Sequence, residues 1–308
     1  MGRYVLRRLL QLVPVFLGTT FLIYVLVWAI PGDPFAGKCG DRPCPDAYIA
    51  EMRDKFNLDD NIFSQYLQYL GNLLTGDFGE TFSGLQVGEL IADAYPTTIR
   101  LALLALLIEA VIGLAAGIYT GLRGGGFLDN LVLVSTLFLI AVPVFVTGFL
   151  VQTFLGLRWG IISPTVSSAA PWSQLVAPAF VLASLSMAYV ARLTRTSIAE
   201  NRRADYVRTA VAKGLSPRRV LGVHLLRNSA IPVVTFLGTD LGALMGGAIV
   251  TEGIFNIRGV GGLVFGAIVT KEGVTVTGVV VLLVIVYLLM NLLVDVLYAV
   301  LDPRIRLD

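Results

Sequence analysis

Few residues in this sequence have the types and spacing that catalysis or cofactor binding requires. The single histidine, His224, has no serine, cysteine or carboxylate arranged with it as a catalytic triad. The sequence contains no G-x-x-x-x-G-K-[ST] phosphate loop, no H-E-x-x-H zinc motif and no G-x-S-x-G nucleophile motif. We therefore expect a non-catalytic protein that binds no metal and no cofactor of its own.

Two carboxylates, Glu109 and Asp240, lie within long apolar stretches. A charged side chain at the centre of a bilayer costs about 2.5–3.5 kcal/mol on insertion scales, so such a residue rarely faces lipid. One interpretation is that they line a translocation path and meet the positively charged part of a substrate. The alternative is that they are hydrogen-bonded carboxyl groups that hold helices together.

The composition indicates that the elements carrying these residues lie in a membrane. Only 14% of the 308 residues are charged, compared with roughly 25% in an ordinary soluble domain. An ordinary cytosolic enzyme is excluded, because a soluble monomer of this size cannot hide so much apolar material from water. The net charge of +2 is too small to indicate a nucleic-acid partner.

Six stretches are apolar and long enough to cross a bilayer, which takes about 20 residues. They are approximately Leu9–Ile30, Thr98–Leu122, Leu128–Leu155, Leu175–Ala191, Ala230–Val250 and Val276–Leu301. The predicted fold is therefore all-α, a multi-pass protein with six transmembrane helices in a single transmembrane domain over residues 1–308.

The charges between the spans predict the orientation. Residues 192–229 hold nine basic and two acidic side chains, whereas residues 31–97 hold four basic and eleven acidic ones. The positive-inside rule then places both termini and residues 192–229 in the cytoplasm. Residues 31–97 become an external subdomain, with helix-like stretches at Asp46–Phe56 and Ile62–Leu74.

Cys39 and Cys44, the two cysteines of the chain, lie in this external segment. The external side is oxidising, so a disulfide between them is one interpretation. Two free thiols are the alternative. A metal site is not expected, because no histidine or further cysteine lies nearby.

A corner is predicted within the cytoplasmic segment. Gly214 follows Lys213, as at a helix end closed by a left-handed residue. Ser216 then stands where it would cap a second helix, with Pro217 at its first position.

The helix before this corner has a compact apolar side. Tyr206 and Val207 would meet Ala210 and Val211 at i, i+4 spacing. Such a helix suits insertion into a groove on a partner protein. The alternative is an amphipathic helix lying on anionic lipid headgroups.

Glycine pairs at i, i+4 spacing mark two of the predicted spans. Gly113 and Gly117 lie in the second span, and Gly242 and Gly246 in the fifth. Small residues at this spacing let helices approach closely, either within this chain or against a second subunit.

Several segments resemble, in order, the inner-membrane permeases of binding-protein-dependent ABC transporters, in their peptide and nickel branch. The segment from Asp205 to Ser216 resembles the EAA loop of that family. Further matches are Pro31-Gly32-Asp33-Pro34, Arg227–Pro232, Gly246–Glu252 and the run Leu301–Arg306. Arg208 and Thr209 stand where the general EAA pattern has Glu and Ala, while Ala210 and Gly214 are retained.

The resemblance implies the type I ABC importer fold and a set of partners. These are a second homologous permease, two cytoplasmic ATP-binding subunits that hold ATP and Mg, and an external solute-binding protein. It implies the inner membrane of a prokaryote as the location. The implied coupling residues are Asp205, Tyr206, Val207, Arg208, Thr209, Ala210, Lys213, Gly214, Leu215 and Ser216.

The function implied by the resemblance is ATP-driven import of di- or oligopeptides. One alternative is an importer of the same kind for nickel or another small solute. Another is a secondary transporter driven by an ion gradient, with Glu109 and Asp240 as proton sites. A third is a membrane scaffold that transports nothing.

Overall fold

A computed structural model describes residues 2–28, 44–57 and 59–301. Within these ranges the chain forms helices and no strand. The N-terminal half contains α1 (Gly2–Trp28), α2 (Asp46–Lys55), α3 (Ile62–Leu74), α4 (Val87–Arg123), α5 (Phe127–Ala141) and α6 (Val144–Leu150). The C-terminal half contains α7 (Trp172–Asn201), α8 (Asp205–Ala212), α9 (Pro217–Arg219), α10 (Arg227–Ser229), α11 (Ile231–Gly247), α12 (Ile249–Ile254), α13 (Val260–Val269) and α14 (Gly273–Leu301). Segments of π-helix continue α6 over Val151–Arg158 and α9 over Val220–Leu226.

The helices confirm the predicted all-α membrane architecture. In the described part of the chain, four helices are each long and apolar enough to cross a bilayer: Leu6–Trp28, Val87–Arg123, Trp172–Asn201 and Gly273–Val296. Two bent pairs complete a set of six if each pair is one span. These pairs correspond to the third and fifth predicted spans.

The third predicted span, Leu128–Leu155, is not one continuous helix. Its two halves meet at an angle of 101° between Ala141 and Val144. Val142 is extended, with φ −90° and ψ 122°, because the ring of Pro143 disfavours the helical conformation of the residue before it. The proline therefore ends α5 and starts α6 in a new direction.

The second and fourth spans continue well beyond their apolar stretches. Helix α4 begins at Val87 rather than Thr98, and α7 continues to Asn201 rather than Ala191. The fourth span, predicted as the shortest, is therefore a helix of 30 residues. Hydropathy marks only the part of a helix that meets hydrocarbon, whereas the backbone hydrogen bonds continue into the polar regions on either side.

Helices α4 and α7 form the central contact of the fold, and glycines allow their close approach. A side chain added at Gly113 would meet Val190 Cγ1 at 2.7 Å, and one added at Gly117 would meet the Ala191 carbonyl oxygen at 2.6 Å. Gly121 packs in the same way against Ile198. The second glycine pair lies elsewhere: Gly242 packs on α14, and Gly246 has no neighbour that an added side chain would meet within 4 Å.

Helices α2 and α3 confirm the two helical stretches predicted between the first and second spans. Asn61 caps α3 by accepting a hydrogen bond from the Phe63 amide at 2.9 Å. Tyr66 then anchors α3 on α1, since its hydroxyl lies 2.8 Å from Thr20 Oγ1 and donates to the Leu17 carbonyl at 3.0 Å.

Candidate functional site

The predicted corner is present between α8 and α9. Gly214 has φ +73°, a conformation that costs an L-residue roughly 1–2 kcal/mol. Its amide donates to the Val211 carbonyl at 2.9 Å, and the Leu215 amide donates to the Ala210 carbonyl at 3.3 Å. These two bonds form a Schellman motif, which closes the end of α8.

The start of α9 confirms part of the prediction. Pro217 occupies an N-terminal position of the helix, and Ser216 stands at the N-cap. The Ser216 side chain makes no capping hydrogen bond, so the predicted side-chain cap is wrong. Such a cap would accept from the Arg218 or Arg219 amide, and the Arg219 amide already donates to the Ser216 carbonyl at 2.9 Å.

The structure separates the apolar side chains of α8 into two groups. Val207 and Ala210 are buried in this chain, in a cluster with Ile198, Val220 and Leu225. Val211 is 60% exposed and Tyr206 is 39% exposed. The predicted single apolar side for a partner is therefore wrong, because half of it serves to attach α8 to the rest of the chain.

Polar contacts fix α8 to the end of α7. Asn201 donates from Nδ2 to the Ser197 carbonyl at 2.9 Å and to Ser229 Oγ at 3.2 Å. Its Oδ1 accepts a hydrogen bond from the Tyr206 hydroxyl. Arg202 donates to the Leu122 carbonyl at the end of α4 at 2.6 Å. The end of α7 is thereby joined to α8, to Ser229 of α10 and to the end of α4.

The exposed residues of α8 and of the corner that follows it form a surface of mixed polarity around Val211. The salt bridge of Asp205 and Arg208 is long, at 3.8 Å, and both side chains are largely exposed. Such a pair contributes little to stability. The exposed coupling surface, as we call this side of the segment, comprises Asp205, Tyr206, Arg208, Thr209, Val211, Ala212, Lys213 and Gly214.

A second polar contact, which the sequence did not indicate, lies at the same end of the bundle. Arg195 of α7 forms a bidentate salt bridge with Asp129 of α5, with N–O distances of 2.7 and 2.8 Å. The Gly125 amide donates to the same carboxylate at 2.9 Å. In the sequence, Arg195 is one of many basic residues of the segment 192–229. Only the packing of α5 on α7 shows that it pairs with Asp129.

The two carboxylates of the apolar stretches lie together. Glu109 of α4 is fully buried and lies beside Asp240 of α11. Ser186 of α7 also lies beside the Asp240 carboxyl group. Neither oxygen of Glu109 has a hydrogen-bond partner among the described residues. In the sequence the two carboxylates are separate features. In the structure they lie in one contact that involves α4, α7 and α11.

A third buried carboxylate, Glu252 of α12, joins three elements near α13. Its Oε1 accepts from Thr98 Oγ1 at 2.7 Å, and its Oε2 accepts from the Gly262 amide at 2.8 Å. Thr98 Oγ1 also accepts from the Val260 amide at 2.8 Å. Burial raises the pKa of Glu252 to about 7. The sequence indicated Glu252 only as part of a motif and gave no sign of this contact with α4.

Asp295 and Cys44 also have partners. Asp295, near the end of α14, forms a salt bridge with Arg8 of α1 at 3.3 Å. Cys44 is bonded in a disulfide, while Cys39 lies outside the described residues. The pairing of these two cysteines therefore stays a prediction.

Comparison with known proteins agrees with this architecture over both halves of the chain. Residues 1–102 match the N-terminal family of binding-protein-dependent transport system membrane components, and residues 113–307 match the family "Binding-protein-dependent transport system inner membrane component". The chain is 36% identical to the di/tripeptide transport system permease protein DppB of Pseudomonas aeruginosa, over 98% of each sequence. It is 32% identical to the dipeptide transport system permease protein DppB of Escherichia coli and 36% identical to the glutathione transport system permease protein GsiC of Shigella flexneri, over 99% of each sequence in both comparisons. With family matches over nearly its whole length and a helical membrane fold, this chain belongs to the family of binding-protein-dependent transport system inner membrane components.

Proposed function

We propose that this chain is the transmembrane permease subunit of an ATP-driven importer for dipeptides and oligopeptides. Full-length similarity to permeases named for dipeptides and di/tripeptides supports the cargo class. The chain would form the translocation path with a second homologous permease. A solute-binding protein would deliver the peptide on the side that carries α2 and α3.

The exposed coupling surface is the proposed docking site for a cytoplasmic ATP-binding subunit. The observation that supports this role most strongly is the division of α8 into an attached and a free side. Val207 and Ala210 are already buried within the chain, so they are not available to insert among lipid headgroups. The free side combines charged residues with the exposed Val211, which suits a protein groove better than a lipid surface.

In this proposal the ATP-binding subunits carry the catalysis and hold ATP and Mg, while this chain converts their closure into movement of helices. The hydrogen bond from Tyr206 to Asn201 and the apolar cluster around Ile198 fix α8 to α7. The salt bridge of Arg195 with Asp129 extends the same rigid unit to α5. Closure of the ATP-binding subunits would then tilt these spans together.

The test is uptake of a labelled dipeptide by proteoliposomes that contain the complete complex of permeases, ATP-binding subunits and binding protein. Uptake should require ATP inside the vesicle and should persist when an ionophore collapses the ion gradients. Uptake that survives without ATP and stops with the ionophore would instead support a secondary transporter.

Glutathione is a second candidate cargo, because a relative named for glutathione transport is 36% identical to this chain. Competition separates the candidates in the same assay. An excess of unlabelled dipeptide should abolish the signal, while glutathione and a nickel chelate should leave most of it. Stronger competition by glutathione would reassign the cargo and leave the ATP-driven mechanism unchanged.

A further inference from the structure

A cavity of about 160 Å³ lies between α1, α3 and the first turns of α14. It is at the end of α1 and the start of α14, on the side that the charge pattern predicts to be external. Aromatic rings from Tyr24, Trp28 and Tyr69 form much of its wall, together with side-chain amides such as Gln65. Among the described residues, none of the side chains that line it is charged.

Three polar atoms on the wall of this cavity are buried and have no hydrogen-bond partner among the described residues: Trp28 Nε1, Tyr69 Oη and Thr277 Oγ1. Thr277 itself is 1% exposed. More than nine in ten buried polar groups in proteins are hydrogen-bonded, so three unpaired groups around one cavity indicate an occupant.

Several of the other polar groups of the wall already have partners, and the side chain of Asn72, which also lines the cavity, is exposed. Gln65 donates to the Asp60 carbonyl at 2.9 Å and accepts from the Tyr24 hydroxyl at 3.5 Å. Gln68 accepts from the Asn57 amide at 3.1 Å. The hydrogen bonds still available to an occupant therefore come mainly from the indole and the two hydroxyl groups.

These groups define the chemistry of the occupant. The indole N–H of Trp28 is a donor only, so it needs an acceptor oxygen, whereas the hydroxyls of Tyr69 and Thr277 can donate or accept. A peptide terminus or a phosphate would bring a charge, and none of the described side chains that line the cavity carries an opposite charge that could pair with it. The occupant is thus uncharged and rich in oxygen.

The position selects among uncharged molecules. Trp28 and Tyr24 lie at the end of a membrane span, at the depth where Trp and Tyr meet the lipid headgroup region. A cavity of about 150 Å³ holds a molecule the size of benzene, so there is room for one small polar group and not for a whole lipid.

We infer that this cavity binds the uncharged glycerol–ester group of a membrane lipid. Trp28 Nε1 donates to an ester carbonyl oxygen, while Tyr69 and Thr277 exchange hydrogen bonds with the remaining oxygens of the glycerol. The bound group bridges α1, α3 and α14, and so joins the external subdomain to two spans. This site is independent of the cargo and of the ATP-binding subunits.

The test uses the fluorescence of Trp28 in the full chain, purified in a detergent without glycerol esters. Replacing the exposed Trp159 and Trp172 by Phe leaves Trp28 as the remaining tryptophan of the three in the sequence. Titration with monoolein should give a saturable change in its emission. Tyr69→Phe and Thr277→Val, each of which removes one hydroxyl, should each weaken binding about five-fold, as expected for the loss of one neutral hydrogen bond.

Two matched controls remove a hydroxyl of the same kind elsewhere. Tyr95 Oη and Thr194 Oγ1 are also buried without a partner among the described residues, but they do not line the cavity. Tyr95→Phe and Thr194→Val should leave monoolein binding unchanged. An equal loss in the controls would overturn the assignment, because it would indicate a general effect on folding.

Two further ligands separate the chemistry from simple partitioning. Oleyl alcohol has the chain but no glycerol ester, and it should bind at least tenfold more weakly; equal binding would overturn the assignment in favour of an apolar contact. Glycerol has no chain, and binding as strong as that of monoolein would overturn a membrane source. The absence of any saturable change with monoolein would leave ordered water as the occupant and would also overturn the inference.

Discussion

Glu109 and Asp240 show how two residues that are costly in a membrane become tolerable. Among the described residues, no basic side chain forms a salt bridge with either of them, and each lies beside the carboxyl group of the other. Two carboxyl groups in contact cannot both be ionised at low cost, because like charges at short range repel strongly in an apolar surrounding. Their contact brings α4 and α11 together beside Ser186 of α7.

Substitution of Glu109 tests this contact. Glu109→Gln retains a donor toward Asp240 and should assemble normally, with transport close to that of the unmodified chain. Glu109→Leu leaves Asp240 without that partner and should lower the thermal unfolding temperature, since an uncompensated buried polar group costs about 1–3 kcal/mol. Fluorescence-detected size-exclusion after heating measures this. Normal assembly together with lost uptake in Glu109→Gln would instead place Glu109 on the translocation path.

Glu252 predicts a dependence of stability on pH. Its pKa in the folded protein is raised to about 7 by burial, from a usual value of 4.5. The folded protein therefore holds this proton more tightly than the unfolded chain does, and stability falls as the pH rises from about 4.5 to about 7. The unfolding temperature should be higher at pH 5 than at pH 8, and the difference should be smaller in Glu252→Gln. An identical difference in the variant would contradict the assignment to Glu252.

The function proposed for α8 depends on both of its sides. One side packs against the rest of the chain, and the other is exposed. Sequence spacing placed Tyr206, Val207, Ala210 and Val211 together, but spacing along a helix gives neighbours and not the direction that they face. The tertiary contacts with α7 and the π-helical segment Val220–Leu226 decide that direction. They leave Val211 as the exposed apolar side chain of the coupling surface.

Val211→Asp should therefore disrupt docking without disrupting the fold. Val211 is 60% exposed, so the permease should be recovered in normal amount while the ATP-binding subunit no longer co-purifies. Leu74→Asp, at an 89% exposed site on α3, is the matched control and should retain the subunit. Val207→Asp places a charge in a buried position and should reduce the yield of the permease itself. Full co-purification with Val211→Asp would exclude this side of α8 as the docking surface.

The close contact of α4 with α7 can be tested by substituting its glycines. A side chain at Gly117 meets backbone and side-chain atoms of α7, whereas one at Gly246 meets no atom within 4 Å. Gly117→Val should thus destabilise the chain by about 1–3 kcal/mol, as overpacking typically does. Gly246→Val should be well tolerated in the isolated chain. A loss of the second permease in Gly246→Val alone would indicate that Gly246 packs against that subunit.

The whole molecule has an orientation that the charge pattern predicts and that labelling can test. In a background with Cys39→Ser and Cys44→Ser, a cysteine is placed at the exposed Thr75 or at the exposed Ser216. A membrane-impermeant maleimide should label Thr75→Cys in cells with an intact inner membrane. It should label Ser216→Cys only after permeabilisation, and the reverse pattern would contradict cytoplasmic placement of the coupling surface.

The features that could be predicted from the sequence are those that depend on local composition. Six apolar stretches predicted the spans because burial in hydrocarbon requires a run of apolar side chains, and charge counts predicted the sides. Gly214 and Pro217 predicted the corner because their backbone restrictions act within a few residues. The break of the third span could have been predicted from Pro143 in the same way. It was missed because the residues on both sides of the proline are uniformly apolar.

The tertiary structure alone decided which distant residues meet. The contact of Glu109 with Asp240, the salt bridge of Arg195 with Asp129 and the hydrogen bonds of Glu252 to Thr98 each join helices far apart in sequence. A single sequence carries no signal for such pairs, because each partner satisfies the local pattern of its own helix. The cavity around Trp28 likewise exists only where α1, α3 and α14 come together, so the groups that it leaves unpaired could not be recognised from the sequence.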